Sequence, residues 1–216
     1  MTEYYDTLLA NKEKQIEDLT NKVDSLQDTN TKLSERLTKL ENDHDETAQY
    51  ERRDTLIFSG NVLPVELAEE DTTDIIVNTL KSHLKVPITQ NDISIAHRLG
   101  RTRSGFSRPI IVKLISRSKK SQIVRARIAL PKPTVQNSPV LHINESLTPI
   151  RRNLFYKARQ LKKKHANLFK TLYTQDGRIV INLNATEDRK YFISTEKEML
   201  EFLDVSPVLK DTYDTL

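Results

Sequence analysis

Residues 108–114 of this chain read Arg-Pro-Ile-Ile-Val-Lys-Leu, and this short apolar run decides the fold. β-Branched residues dominate it, which is typical of a β-strand. An Arg-rich loop with two glycines, residues 100–108, comes directly before it. We therefore predict a strand from Pro109 to Ile115 that follows an exposed loop.

Similar apolar segments occur before and after this strand in the sequence. Further strands are predicted at 56–60, 93–99 and 140–143, and amphipathic helices at 71–84 and 119–129. The order β-α-β-β-α-β over about 90 residues is that of the ferredoxin-like sandwich used by RNA-recognition motifs. We expect an α+β protein with a ferredoxin-like, noncanonical RNA-recognition domain at 51–144.

A second small α/β domain is predicted at 145–204. Thr148 and Pro149 are an N-cap and a first helical residue, and they predict a helix. Asp176-Gly177 predicts the turn of a β-hairpin. Thr195, with Glu198 three residues later, predicts a capping box and a last helix through Leu203. Residues 205–216 are expected to form a flexible tail.

The N-terminal segment, residues 1–50, is predicted to be a coiled-coil oligomerisation helix. Residues 8–47 contain no Gly or Pro, and their apolar residues recur in heptads. The predicted seam consists of Leu9, Ile16, Leu19, Val23, Leu26, Asn30, Leu33, Leu37 and Leu40. Ile and Val at a positions, Leu at d positions and a buried Asn30 favour a two-stranded homo-oligomer.

Charge is distributed unevenly along the chain. Residues 1–50 hold six basic and twelve acidic residues, whereas residues 91–165 hold eighteen basic and two acidic ones. No acidic residue lies between Asp92 and Glu145, where eleven Lys and Arg occur. Such one-sided charge predicts a polyanionic partner, and we expect single-stranded RNA or DNA.

Composition argues against several other classes of function. The chain has no cysteine, and its five histidines lack metal-ligand spacing. No apolar run approaches the roughly 20 residues of a membrane span, and no signal peptide is recognisable. Motifs of catalytic phosphate loops or nucleophiles are absent. We expect an intracellular protein that is not an enzyme and has no cofactor, membrane or small-molecule substrate.

The candidate nucleic-acid contacts are guanidiniums, ammoniums and two tyrosines outside the coil. Guanidiniums bind phosphates bidentately and stack on bases. The candidates are Arg52, Arg53, Arg98, Arg101, Arg103, Arg108, Arg125, Arg127, Arg151, Arg152, Tyr156, Arg159, Lys162, Lys163, Tyr173 and Arg178. Phe58 is predicted to be a core residue, which leaves the RNA-recognition domain without most of its aromatic platform. Binding should then depend on phosphates and tolerate sequence.

The order of motifs resembles the RNA-binding, first-open-reading-frame protein of LINE-type non-LTR retrotransposons. The resemblance is carried by residues 52–60, 97–100, 108–114, 144–152 and 173–179, and it covers about residues 8 to 204. It implies a coiled-coil homotrimer and a nucleic-acid chaperone that packages retrotransposon RNA. By resemblance, Arg52, Arg53, Arg101, Arg103, Arg108, Arg125, Arg151, Arg152, Tyr173 and Arg178 are binding residues.

Two other interpretations of the sequence remain open. A coiled-coil scaffold would use its basic half to meet an acidic protein or membrane surface. A retrotransposon remnant would fold without useful affinity. The resemblance favours a cytoplasmic ribonucleoprotein, with the nucleus as a second location.

Overall fold

The computed structural model describes residues 2–101, 107–130, 138–184, 189–204 and 206–215. Helix α1 extends over Thr2–Glu51, which confirms the predicted N-terminal helix. The chain divides into two compact units, Met1–Glu46 and Thr47–Leu216. No helix of the described ranges is long and apolar enough to cross a membrane.

A four-stranded antiparallel sheet forms the first part of the second unit. Its strands are β1 (Thr55–Ser59), β2 (Ile93–Arg98), β3 (Ile110–Leu114) and β4 (His142–Glu145), in the order β2-β3-β1-β4. Helix α2 (Thr72–Leu84) connects β1 to β2, and helix α3 (Arg117–Ala126) follows β3. The predicted order of these six elements is confirmed.

Local capping interactions fix where these helices begin. The Asp71 side chain accepts hydrogen bonds from the amides of Thr73 and Asp74, so α2 begins directly after it. The Ser116 hydroxyl accepts from the amide of Ser118 and starts α3 in the same way. Helix α3 passes into a 3₁₀ turn at Arg127–Ala129, within the range predicted to be helical.

Alternate strand residues form the first hydrophobic core. Leu56, Phe58, Ile110 and Val112 are fully buried and pack with apolar residues of α2 and α3. Phe58 is therefore a core residue, as predicted. The alternate residues point to the other face of the sheet, as the two-residue period of a strand requires.

A second core lies in the C-terminal part of the same unit. Helix α4 (Pro149–Lys164) packs on a three-stranded antiparallel sheet in the order β5-β6-β7. These strands are Phe169–Gln175, Arg178–Leu183 and Lys190–Ile193. Helices α5 (Glu196–Leu203) and α6 (Pro207–Tyr213) complete the chain. The predicted α4 cap, hairpin turn and capping box are present, but β7 was not predicted.

The prediction of a flexible tail at 205–216 is wrong for residues 207–213, which form α6. Leu209 and Tyr213 of this helix are buried in the second core. The Tyr213 hydroxyl donates to Glu196 Oε1 at 2.7 Å, and burial raises the pKa of this phenol. Burial of two apolar side chains favours docking of a helix that is too short to be stable alone.

Arg98 organises the loops at one end of the four-stranded sheet. Its Nε and Nη2 donate to the two carboxylate oxygens of Glu70 at 2.7 and 2.9 Å. The remaining donors reach the carbonyls of Pro64 and Arg108 and the hydroxyl of Ser107. A buried guanidinium with this many acceptors is a structural group, because no donor is left to face a ligand.

Replacement of Arg98 by Met should lower the free energy of unfolding by about 3 kcal/mol. The substitution leaves the Glu70 carboxylate without its partner in a largely buried position. Urea unfolding followed by circular dichroism measures the effect. Arg101→Met is the matched control, because Arg101 is exposed and its loss should change stability by less than about 0.5 kcal/mol.

The same pair gives stability a specific pH dependence. The hydrogen bond from Arg98 lowers the pKa of Glu70 below its ordinary value of 4.5. The resulting stabilisation is present above pH 4.5 and is lost as pH falls through the lower, folded-state pKa. Arg98→Met should reduce this acid-side loss, and an unchanged acid-side slope would contradict the assignment.

Candidate nucleic-acid interface

A groove of about 810 Å³ follows the free edge of β5. Residues 170–176 form one part of its lining, and α3, the 3₁₀ turn, the end of β4 and Lys162 of α4 form the rest. The groove therefore lies between the two hydrophobic cores of the unit Thr47–Leu216. Its lining thus combines residues of both parts of the unit along one sheet edge.

Most charged side chains that line the groove are basic. They are Lys120, Arg125, Arg127, Lys162 and Lys170. Arg125 and Lys170 are exposed, whereas Arg127 and Lys162 are half-buried. Arg127 Nη1 donates to the carbonyl of Ile143 at 2.9 Å, which fixes its guanidinium beside β4. Tyr173 is half-buried in the same lining and supplies an aromatic ring.

Both acidic residues that line the groove contact Lys120. The Nζ atom of Lys120 lies 2.6 Å from Glu145 Oε1 and 3.5 Å from Asp176 Oδ1. Lys120 and Glu145 are buried, whereas the Asp176 side chain is 78% exposed. These carboxylates are thus directed at an ammonium, and with five basic and two acidic side chains the lining as a whole is positively charged.

The Glu145 carboxylate also holds the β5–β6 turn. Its two oxygens accept hydrogen bonds from the amides of Asp176 and Gly177 at 3.0 and 3.2 Å. Both turn residues have positive φ, 51° and 79°, as a tight Asp-Gly hairpin turn requires. Glu145 therefore joins the end of β4 to α3 and to the C-terminal sheet.

Gln49, near the end of α1, completes this joint. Its Nε2 donates to the Ser146 carbonyl, and its Oε1 accepts from the Thr148 amide, both at 2.9 Å. A Cβ atom at Gly177 would lie only 2.5 Å from Gln49 Cγ. The close approach of Gln49 to this turn therefore requires glycine there, in addition to the positive φ.

Four of the predicted contact residues come together in the groove: Arg125, Arg127, Lys162 and Tyr173. The exposed predicted residues outside its lining are Arg52, Arg101, Arg152, Tyr156, Arg159, Lys163 and Arg178. Arg53 is half-buried, with its guanidinium carbon 3.7 Å from the centre of the Tyr50 ring. Arg108 is half-buried and paired with Glu66. Arg103 lies outside the described residues.

Arg98 and Arg151 are corrections to the predicted set, because both side chains lie in the interior. Arg98 is committed to the acceptors described above. Arg151 is 2% exposed, and its Nη1 donates to the Gly177 carbonyl at 3.3 Å. A phosphate contact requires an exposed donor, so neither residue belongs to the candidate surface.

The sequence prediction missed Lys120, Glu145, Lys170 and Gln49. Lys120 and Glu145 had one signal: Glu145 is the single acidic residue that ends a long basic run, and such a residue needs a basic partner when buried. For Lys170, the only signal in the sequence was that lysine is a basic residue. No sequence signal identifies Gln49, since it lies in a polar helix.

Comparison with known proteins adds no identification. The chain matches no protein-family model. It also matches no curated protein. Among the described residues, no group of three or more His, Cys, Asp and Glu side chains could hold a metal ion.

Replacement of Glu145 by Gln should lower the free energy of unfolding by about 3 kcal/mol, because it leaves the buried Lys120 ammonium without its main partner. Chemical denaturation measures this loss. Asp176→Asn is the control: it removes a carboxylate from the same ammonium at an exposed position, and Asn tolerates positive φ. Equal effects of the two substitutions would contradict the role assigned to Glu145.

Proposed function

We propose that this protein binds single-stranded RNA or DNA with little sequence preference, along the β5 groove, and acts as a nucleic-acid chaperone. The observation that carries the proposal is the lining of the groove. Arg125, Arg127, Lys162 and Lys170 surround a half-buried Tyr173, while both carboxylates are directed at Lys120. Positive side chains follow the phosphates, and the tyrosine stacks on a base.

An unpaired strand suits this groove better than a duplex. Tyr173 needs access to the face of a base, and base pairing and stacking in a duplex hide that face. The phosphates supply most of the affinity, because the groove offers more cations than base-reading groups. Many exchangeable phosphate contacts favour no particular pairing partner, which is the property a chaperone needs.

We further propose a ferredoxin-like, RNA-recognition-type fold for residues 51–144. The order β-α-β-β-α-β and the strand order β2-β3-β1-β4 support it. Across the open face of this sheet, His97, Ile111, Ile57 and Asn144 lie side by side. Phe58, the only Phe, Tyr or Trp of these four strands, is buried on the other face. Stacking on this sheet is therefore not part of the proposed mechanism.

The coil supplies the proposed homo-oligomer. All of its seam residues are exposed on the single helix, and an exposed apolar seam on a polar helix is buried by association with copies of itself. Association places several grooves on one particle, and linked grooves rebind a long strand at high effective concentration. These features agree with the proposed kinship to the retrotransposon proteins and with a role in packaging RNA.

Substitution of Arg125 and Lys162 by Ala should weaken binding of an unstructured single strand. It should also lower the slope of log affinity against log salt by about 1.4, since each lost phosphate contact removes about 0.7. Fluorescence anisotropy over a salt series measures both. Lys14→Ala with Lys81→Ala is the control, because it removes the same charge at exposed positions outside the groove. Equal slopes in the two variants would exclude the groove, and no binding by the wild type would favour the scaffold.

Leu26→Asp in the coil should dissociate the oligomer, because it places a charge in the apolar seam. Affinity for a strand several times longer than one site, which spans about 4–16 nucleotides, should fall. Affinity for a strand of one site's length should not change. Light scattering gives the mass, and Ser25→Asp, outside the seam, is the control. A monomer that binds the long strand as tightly as the wild type would refute the contribution of avidity.

A further inference from the structure

The C-terminal sheet has an outer face that the groove does not account for. Tyr173, Val180 and Phe192 are direct cross-strand neighbours on β5, β6 and β7, so their side chains lie in one row on one face. Ile179 and Ile181, which alternate with Val180, point to the opposite face and are part of the second core. The row therefore lies on the face directed away from that core.

This row has the form of a stacking surface. Phe192 is 48% exposed, Tyr173 is half-buried, and Val180 between them is fully buried. The two rings stand on strands that are about 10 Å apart, since each strand spacing is about 4.8 Å. An exposed phenylalanine ring on the same sheet face as a second aromatic residue is an arrangement that can stack on bases.

The neighbouring row contains a polar group without a partner. Thr171, Asn182 and Lys190 are cross-strand neighbours on the same face. Asn182 is only 4% exposed, yet within the described ranges its Oδ1 atom has no hydrogen-bond partner. Because that atom is enclosed, it is not available to a ligand, and this row contributes only Thr171 and Lys190 to the accessible surface.

The charge of this face is also suited to nucleic acid. Arg178 precedes Val180 by two residues and Lys190 precedes Phe192 by two residues, so both lie on the same face, and both are exposed. No Asp or Glu occurs on this face in β5, β6 or β7. A ligand that combines flat rings with negative charge fits these features, and a single strand of nucleic acid has both.

We propose that the outer face of the C-terminal sheet is a base-stacking platform for the strand held in the groove. Phe192 and Tyr173 each stack on a base, and Arg178 and Lys190 contact phosphates of the same strand. Tyr173 belongs both to the groove lining and to this row, which connects the two surfaces. The platform rests on the proposed function, and it assigns to the second sheet the stacking role that the four-stranded sheet lacks aromatics to perform.

The test compares two strands of equal length and charge, one with normal bases and one abasic. Anisotropy of the full chain with each strand separates base contacts from phosphate contacts. Phe192→Leu removes the π face and keeps an apolar side chain, and it should weaken binding of the normal strand by about 5- to 100-fold. Binding of the abasic strand should not change. Phe192→Tyr retains a ring and should restore normal binding.

Three other outcomes have distinct meanings. If the wild type binds neither strand, the proposed function itself fails, and the platform fails with it. If the wild type binds both strands equally and Phe192→Leu has no effect, the groove remains and the platform is refuted. If Phe192→Leu weakens both strands equally and lowers the melting temperature, Phe192 is a structural residue and the platform is refuted.

Discussion

The buried Glu145 carboxylate is the group on which the second unit depends. It ends β4, pairs with Lys120 of α3 and accepts the two amides of the Asp176-Gly177 turn. One carboxylate thus joins the two hydrophobic cores whose separation forms the groove. Taking this ion pair out of water is costly, so the two turn amides matter: they satisfy oxygen lone pairs that the ammonium does not reach. The position of the groove walls follows from a polar contact more than from apolar packing.

The joint also explains why the Asp-Gly turn has two requirements. A hairpin with this turn needs positive φ at both residues, and Asp and Gly satisfy it locally. The approach of Gln49 to Gly177 adds a steric limit, because no Cβ fits between them. In addition, Arg151 Nη1 donates a hydrogen bond to the Gly177 carbonyl. The turn at the end of β5 is therefore fixed by contacts with Glu145, Gln49 and Arg151.

Local patterns in the sequence predicted the elements, while the site depended on contacts that no local pattern contains. The N-terminal helix, the strand predicted at Pro109–Ile115, the Thr148 cap and the Asp-Gly turn have short-range signals, and each of these is present. Helix α6 was missed because its stability comes from Leu209 and Tyr213 docking on a distant core. Arg98 and Arg151 were misassigned because charge type does not reveal burial; a guanidinium with carboxylate and carbonyl acceptors is satisfied inside. The groove was predictable only in part, because Lys120 and Arg125 are distant from Lys170 in the sequence and only the folded chain brings them into one lining.

In the proposed function the two sheets have different roles, because their exposed side chains differ. The four-stranded sheet has Phe58 in the core, so its open face offers no Phe, Tyr or Trp ring to a base. In the proposed function, basic residues of α3 and β5 bind phosphates without regard to sequence, and this charge alone would hold a strand loosely. Aromatic stacking adds affinity that also tolerates sequence, because every base has a π face. A protein that holds unpaired strands and releases them for annealing can use both kinds of contact, because neither phosphate contacts nor stacking depends on a particular base sequence.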